Sequence, residues 1–114
     1  MRYAVMGTML ALLCSTSCAP GSSGDVIGKY RAESLSKTSE LELKGDGSFS
    51  QKAGGEVLDG SWFLERGIVF MKPCLSAAKD DFGRRLDTCS MSAARTPFGM
   101  ELSVDPDYGI AYRK

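Results

Sequence analysis

The sequence contains no histidine. Histidine is the commonest general base at neutral pH and the commonest ligand of zinc and copper, so its absence removes the simplest catalytic and metal-binding arrangements. The chain also has no excess of positive charge, because 14 Lys and Arg residues balance 14 Asp and Glu residues. Proteins that bind nucleic acid through its phosphates need such an excess. We therefore expect no nucleic-acid partner and no histidine-based active site.

The longest apolar run is too short to cross a membrane. It occupies residues 3–13, after the basic start Met1-Arg2, whereas a transmembrane helix needs about 20 residues. Its length is typical of the apolar core of a secretory signal peptide. A buried N-terminal helix is the alternative, but the run has no polar face. The Cys-, Ser-, Pro- and Gly-rich residues 14–24 that follow are typical of a flexible tether.

The sequence offers two possible cleavage sites for this signal peptide. An A-x-A-type site places the cleavage after Ala19, where Pro20 is unfavourable on the far side of the bond. Residues 15–18, Ser-Thr-Ser-Cys, resemble instead the lipobox of bacterial lipoproteins, with Ser15 standing where a Leu is usual. The resemblance implies that residues 1–17 are a signal peptide and that Cys18 becomes the acylated first residue. Two or more acyl chains on one residue give a stable membrane anchor.

The residue after that cysteine bears on localisation. In enterobacterial lipoproteins an Asp at this place retains the protein in the inner membrane, and here the residue is Ala19. The resemblance therefore implies a lipid-anchored protein of the bacterial outer membrane, on its periplasmic face or at the surface.

The cysteine count favours one disulfide. Of four cysteines, Cys14 leaves with the signal peptide and Cys18 carries lipid, so Cys74 and Cys89 remain as a pair. Such a pair persists in the oxidising compartment of an exported protein. Closing a loop of about 15 residues stabilises a fold by roughly 3 kcal/mol in the chain-entropy model. A metal site at these two cysteines is disfavoured, since neither a CxxC motif nor a histidine accompanies them.

After a tether over residues 18–26, residues 27–114 are predicted to form a single all-β domain. Strand signals recur about every ten residues, as in antiparallel sandwiches and barrels. The segment 39–44 alternates, with Leu41 and Leu43 on one face and charged residues on the other. Residues 45–47, Gly-Asp-Gly, predict a tight turn, and Phe49 on the returning strand is expected to face the core.

Later segments are less regular. The apolar residues 67–72 predict a strand covered on both faces and ended by Pro73. Residues 74–90 break the alternation; a short helical turn over 76–82 is expected there, and 91–95 form either a strand or part of the same excursion. In the last hairpin, Phe98 is expected on the core face with Met100, Leu102 and Val104, and Tyr108 on one face with Ile110 and Tyr112.

Two glycine–aromatic motifs, Gly28-Lys29-Tyr30 and Gly60-Ser61-Trp62, flank the alternating strand and the turn before Phe49. With the buried strand that follows, the pattern over residues 26–72 resembles the small lipocalin-like domains of bacterial envelope lipoproteins. In such domains the glycine lets the backbone bend and the aromatic closes a barrel end. The resemblance implies a small antiparallel up-and-down β-barrel or half-barrel, here with one disulfide-closed loop, that binds a ligand or another protein.

No catalytic residue, metal ligand or cofactor site is predicted. The adjacent Asp80 and Asp81 point apart in a loop and are expected to be solvated. Asp105 and Asp107 flank a proline in a turn and lack the further ligands that calcium requires. We therefore expect a protein that is not an enzyme.

Two binding regions are predicted. The first is a mixed-charge, partner-docking loop held rigid by the disulfide, since a rigid loop loses less entropy on binding; a solvated face is the alternative. The second is a pocket lined by aromatic side chains, for which simple core packing is the alternative. The docking residues are Lys79, Asp80, Asp81, Phe82, Arg84 and Arg85, and the pocket residues are Tyr30, Trp62, Tyr108 and Tyr112.

Three functions follow as hypotheses. The leading one is a non-enzymatic, membrane-anchored binding module of the bacterial envelope, with a protein or another envelope component as partner. One alternative is an immunity or inhibitor lipoprotein that blocks a periplasmic enzyme, and the other is a carrier of a small apolar ligand.

Overall fold

The computed structural model describes residues 23–114, which form ten β-strands and two short 3-10 turns. Residues 1–22, and with them the predicted signal peptide and Cys18, lie outside the described part. The strands are β1 (Gly28–Ser34), β2 (Lys37–Leu43), β3 (Ser48–Ala53), β4 (Glu56–Glu65), β5 (Ile68–Lys72), β6 (Cys74–Leu75), β7 (Arg85–Leu86), β8 (Cys89–Thr96), β9 (Gly99–Asp105) and β10 (Ile110–Arg113). None of the residues 23–114 forms a helix long and apolar enough to span a bilayer.

Eight of the strands close into an antiparallel barrel. Each pairs with its neighbours along the chain, and β1 meets β10 to complete the circle. The short strands β6 and β7 pair with each other outside the barrel and interrupt the sequence between β5 and β8. The predicted up-and-down barrel is thus confirmed in its fully closed form.

Alternation of apolar and polar residues explains why these segments are strands. In β2, Leu41 and Leu43 are buried while Glu40 is exposed. Successive side chains of a strand point to opposite faces, so this alternation is typical of a sheet with one face on the core and the other in solvent. Asp46 stabilises the turn between β2 and β3. Its carboxylate accepts a hydrogen bond from the Ser48 amide at 2.9 Å and another from the Ser48 hydroxyl at 2.6 Å. These bonds hold the pKa of Asp46 below its usual range.

Apolar side chains fill the barrel, and one glycine makes room for Phe49. A Cβ atom on Gly60 would lie 2.7 Å from the Phe49 ring and 2.6 Å from the Lys72 carbonyl oxygen, so any other residue at position 60 displaces the core or the neighbouring strand. The fully buried large side chains include Tyr112, Phe49, Leu41, Leu43, Met71, Leu102, Val26 and Val69.

The strand directions define two ends of the barrel. At the proximal end the chain arrives through residues 23–27, beside the turns at 44–47, 66–67 and 97–98. At the distal end lie the turns at 35–36 and 54–55, the residues 73–88, and the turn at 106–109.

The proximal end is closed by residues just before β1. Val26 is completely buried there, and the Tyr30 hydroxyl donates to its carbonyl at 2.6 Å. The Trp62 indole donates to the Lys44 carbonyl at 2.9 Å. The glycine–aromatic motifs therefore do place aromatic side chains in the core near this end. Residues 23–25, just before the predicted domain start at residue 27, form a 3-10 turn.

Four local expectations are corrected by the structure. Phe98 is 97% exposed in the β8–β9 turn, and Tyr108 is 55% exposed in a 3-10 turn, because both residues lie where the chain has already left the strand. The outer face of β5 is covered only in part: Phe70 is half-buried, and its ring stacks on the exposed Phe63 ring with centroids 5.0 Å apart. Residues 78–81 form bends and residues 82–83 a turn, in place of the helical turn expected over 76–82.

The open question at residues 91–95 is settled in favour of a strand. They belong to β8, which pairs with β5 on one side and β9 on the other. Without this strand the barrel would remain open between β5 and β9.

Candidate functional site

The disulfide segment, residues 74–89, leaves the distal end of the barrel and returns to it. Cys74 and Cys89 form the predicted bond, with their Cα atoms 6.1 Å apart. Cys89 is also the first residue of β8 and lies opposite Met71 of β5. The bond therefore ties both ends of the segment to the rim formed by two neighbouring barrel strands.

The first part of this segment enters the barrel mouth. Residues Cys74, Leu75, Ser76 and Ala77 are all buried. The side chain of Gln51, which points inward from β3, pairs with the Leu75 backbone: its amide nitrogen donates to the carbonyl at 2.8 Å, and its oxygen accepts from the N–H at 2.7 Å. This two-bond pairing imitates a β-ladder and fixes the segment against the interior of the barrel.

Gln51 also belongs to a polar network that crosses the core. Its amide nitrogen donates to the Tyr112 hydroxyl at 3.0 Å, and this hydroxyl shares a short hydrogen bond with Ser39. Burial raises the pKa of Tyr112, although the bonds from Ser39 and Gln51 oppose that shift. Among residues 23–114 no buried side-chain nitrogen or oxygen lacks a partner, so the network is complete in itself.

The second part of the segment folds over the first. The Ser76 amide donates to the Arg84 carbonyl at 2.8 Å, the Gly83 amide donates to the Ser76 carbonyl at 2.7 Å, and the Ser76 hydroxyl donates to Asp81 at 2.7 Å. A Cβ on Gly54 would lie only 3.1 Å from the Gly83 Cα. The segment therefore also rests directly on the β3–β4 turn.

The predicted docking residues divide by exposure. Asp80, Arg84 and Arg85 are exposed on the outer side of the segment, whereas Lys79, Asp81 and Phe82 are partly buried. The exposed three thus contribute both signs of charge at the distal end.

The partly buried docking residues hold the segment in place. The Phe82 ring packs on a small apolar cluster of Ala53, Leu58 and Leu75. The Lys79 amide donates to Asp105 at 3.4 Å, and its ammonium lies 4.2 Å from the centre of the Tyr108 ring. These contacts join the segment to the β9–β10 turn.

The predicted aromatic pocket is not a single site. Tyr30, Trp62 and Tyr112 are buried in the core, and Tyr108 lies apart from them at the distal surface. Burial raises the pKa of Tyr30 to about 12. Of the four aromatic residues, Tyr112 alone borders the cavity under the disulfide segment.

That cavity has a volume of about 290 Å³ and lies between the disulfide segment and strands β5, β8 and β9. Its apolar walls come from Met71, Leu75, Leu86, Met91 and Val104, and its polar atoms from Gln51, Tyr112, Ser76, Asp81, Thr88 and Ser90.

Gln51 is the important residue that sequence reasoning missed. Gln51 alternates along β3 with the buried Phe49 and Ala53, so its side chain also faces the barrel interior. A polar residue at such an inward-facing position was the signal that the sequence offered. The pattern shows that such a residue needs a buried partner, but it does not identify Leu75 as that partner.

Among residues 23–114 no three His, Cys, Asp or Glu side chains are grouped so as to hold a metal ion. The distal end therefore consists of a segment fixed by its disulfide and by Gln51, with a small cavity beneath it.

Comparison of this chain with known proteins finds no matching family model, no matching curated protein and no matching solved structure.

Proposed function

We propose that this protein is a non-enzymatic binding module of the bacterial envelope, anchored by lipid on Cys18, that presents the disulfide segment to a protein partner. The observation that carries the proposal is the fixation of that segment. Its ends are joined by Cys74–Cys89, and its interior is paired with Gln51 inside the barrel. A surface that is already ordered loses little conformational entropy on binding.

The surface has the character of a protein-docking site. Asp80, Arg84 and Arg85 expose both signs of charge within a few residues. A surface with both signs of charge selects partners whose charges are complementary and lie at matching positions. A phosphate-rich partner is disfavoured, because Lys79, Arg84 and Arg85 are balanced by Asp80, Asp81 and Asp87 and the segment has no net positive charge.

The position of the segment suits an anchored protein. The chain reaches the barrel at the proximal end, through residues 23–27. An anchor at Cys18 therefore attaches the protein by its proximal end and leaves the disulfide segment, at the distal end, accessible to a periplasmic or extracellular partner.

Site-specific photocrosslinking in intact cells tests the docking surface. A photoreactive phenylalanine analogue is placed at position 80 and, as a control, at the exposed position 59 in the middle of β4. We expect a defined crosslinked species from position 80 that is absent from position 59. The double variant Arg84→Glu/Arg85→Glu should abolish that species, whereas Lys52→Glu on the barrel wall should leave it unchanged.

Equal crosslinking from both positions, or a species indifferent to reversal of the two arginines, would contradict docking through the segment. If the captured partner is an enzyme, its inhibition by the purified protein becomes the next assay, because an inhibitor lipoprotein is one form of the proposed module.

The anchor is tested separately by mass spectrometry of the protein extracted from membranes of cells that express it with its own N-terminus. The proposal requires the mass of residues 18–114 plus acyl chains, less two hydrogens for the disulfide. A mass without acyl chains would refute the lipid anchor. It would not bear on the docking surface, which the crosslinking experiment tests separately.

The cavity favours a second candidate, a carrier of a small apolar ligand. Its volume of about 290 Å³ lies at the lower limit for ligand pockets. The polar atoms of Gln51 and Tyr112 at its floor already bond to each other and to the backbone, so an occupant gains mainly from the apolar walls. This candidate therefore requires a compact ligand with few polar groups.

Thermal unfolding with a series of fatty acids of increasing chain length tests this candidate. A carrier should be stabilised by short and medium chains and not by longer ones, and Val104→Trp should remove the effect by filling the cavity. No stabilisation across the series would count against a carrier.

A further inference from the structure

The exposed Phe98 is the feature that the proposed docking surface does not use. Its side chain is 97% exposed at the tip of the β8–β9 turn, next to the exposed Pro97. Single exposed apolar residues are ordinary on protein surfaces, so the place of Phe98 in the fold decides whether its ring meets another surface.

The tip is held in a fixed shape rather than left free. The Thr96 hydroxyl donates to the Gly99 carbonyl at 2.9 Å and accepts from the Phe98 amide at 3.1 Å. These bonds join the backbone on both sides of Phe98 and hold the turn in the shape that exposes the ring.

Phe98 lies at the end where the chain joins the barrel. Arg95, three residues before it, forms an ion pair with Asp25 at 3.1 Å, and Asp25 belongs to the turn that precedes β1. Ile27, close to the same turn, is 37% exposed. The most exposed aromatic side chain among residues 23–114 thus shares one end with the N-terminal attachment.

The length of chain before Ser23 sets how far this end can lie from an anchor. Cys18 precedes Ser23 by five residues, which span roughly 18 Å when fully extended. An acylated Cys18 therefore keeps Ser23, at the same end of the barrel as Phe98, within about 18 Å of its anchor. Under this constraint a weak contact becomes effectively intramolecular, and a single aromatic ring is enough to populate it.

Exposed side chains around the tip are compatible with a lipid surface. The neighbouring turns carry the exposed cations Lys44 and Arg66, together with the exposed acids Asp46 and Glu65, so no net negative charge repels anionic headgroups. Aromatic rings are favoured at the boundary between headgroups and acyl chains.

From these observations we propose that Phe98 inserts into the lipid bilayer and orients the barrel with its proximal end on the membrane. The inference rests on the anchor at Cys18 that the proposed function includes. It adds a second point of contact, which fixes the direction in which the disulfide segment faces.

Leu35 provides a matched control for this proposal. It is 82% exposed at the tip of the β1–β2 turn, which lies at the distal end. A contact that is specific to the proximal end involves Phe98 and not Leu35, although both are apolar residues at exposed turns.

Quenching by brominated lipids measures the contact directly. The membrane-extracted protein is reconstituted into vesicles as Phe98→Trp, as Leu35→Trp and without substitution, so that the buried Trp62 supplies the baseline. We expect bromine in the acyl chains to quench only the Phe98→Trp signal beyond that baseline. Quenching that is absent at position 98, or equal at positions 35 and 98, would overturn the insertion.

Transfer of the anchored protein between vesicles supplies a second measure. Loss of the inserted ring in Phe98→Ser should accelerate transfer about tenfold, since partial burial of a Phe side chain is worth about 1.4 kcal/mol, which corresponds to that factor. Leu35→Ser should transfer at the unaltered rate. Identical rates for all three proteins would contradict the proposal.

A failed anchor is distinguishable from a failed insertion. If mass spectrometry shows no acyl chain, the proposed anchor is wrong, and Cys18 in a Cys14→Ser variant is coupled to a maleimide lipid to restore the same tether. Quenching at position 98 on these vesicles supports insertion even then. Its absence on firmly attached protein refutes the insertion while leaving the docking function unaffected.

Discussion

At the scale of single residues, one buried side chain joins the barrel to its disulfide segment. Gln51 bonds both backbone groups of Leu75 and also reaches Tyr112. A buried polar group that loses its partner costs far more than a solvated one, because no water replaces the lost bond. Gln51 therefore determines the position of residues 74–77 more strongly than any exposed residue of the segment.

Replacing Gln51 by Leu should lower the free energy of unfolding by about 2 to 4 kcal/mol, because two backbone groups of Leu75 lose their partner in a buried place. Urea unfolding followed by tryptophan fluorescence measures the change. Lys52→Ala, at the next and exposed position, should alter stability by less than about 0.5 kcal/mol. Similar losses for the two variants would show that the Gln51 bonds are not important for stability.

Tyr30 predicts how stability depends on alkaline pH. Burial raises its pKa to about 12, above the value of about 10 in an unfolded chain. The folded state therefore favours the neutral phenol: this contribution is fully present below pH 10 and is lost as the pH rises toward 12. The burial that raises the pKa of Tyr112 acts in the same direction.

Denaturation at a series of pH values tests this prediction. Stability should fall between about pH 10 and 12, by roughly 2 kcal/mol for Tyr30. Tyr30→Phe should flatten that fall, while losing the hydrogen bond to the Val26 carbonyl, about 1 kcal/mol, at every pH. Tyr108→Phe, at an exposed position, is the control. An unchanged pH profile in Tyr30→Phe would refute the assignment.

At the scale of elements, the disulfide segment replaces a simple turn between β5 and β8. Its ends are tied by Cys74–Cys89, and its two short strands pair only with each other. Local sequence explains the cysteines and the loss of alternation, since both are visible along the chain. It does not show that the segment folds back into the barrel mouth, because Gln51 and Leu75 are far apart in sequence.

Removal of the disulfide should destabilise the protein while leaving the barrel intact. The bond closes a loop with a sequence separation of 15, for which the chain-entropy model gives about 3 kcal/mol. The double variant Cys74→Ala/Cys89→Ala should lose about this amount in urea unfolding, and chemically reduced protein should behave in the same way. Equal unfolding midpoints for oxidised and reduced protein would contradict the prediction.

At the scale of the whole molecule, the barrel closes between the two neighbouring strands that share the fewest paired residues. Strands β1 and β10 share a single register pair, Arg31 and Arg113, whereas β1 pairs with β2 along its whole length. Inside the barrel, the hydrogen bond between Ser39 on β2 and Tyr112 on β10 spans this seam. Closure therefore depends on side chains as well as on the backbone ladder.

Tyr112→Phe should open the seam preferentially. Loss of the buried hydrogen bonds to Ser39 and Gln51 should lower stability by about 1 to 3 kcal/mol. Hydrogen exchange should accelerate first at the amides of β1 and β10, as expected when a structure opens locally at its weakest pairing. The same change at the exposed Tyr108 should accelerate nothing. Uniform acceleration over all strands would instead indicate global unfolding and contradict a weak seam.

The sequence alone determined much of this architecture. Alternation in residues 39–44 and the Gly-Asp-Gly turn predicted an all-β domain, and the cysteine count predicted the Cys74–Cys89 bond. The resemblance carried by the two glycine–aromatic motifs implied the up-and-down barrel. These signals are local: each depends on side-chain period, on backbone freedom or on the number of thiols, and none requires knowledge of distant contacts.

Only the tertiary structure decided the rest. The bonds of Gln51 to Leu75 and to Tyr112 join residues 24 and 61 positions apart, and Phe98 continues an apolar alternation yet points into solvent. Closure of the barrel decides which backbone groups an inward-facing polar residue meets. It also decides where a segment of alternating residues stops being a strand. Both depend on contacts between residues far apart in sequence, which the local pattern of apolar and polar residues does not reveal.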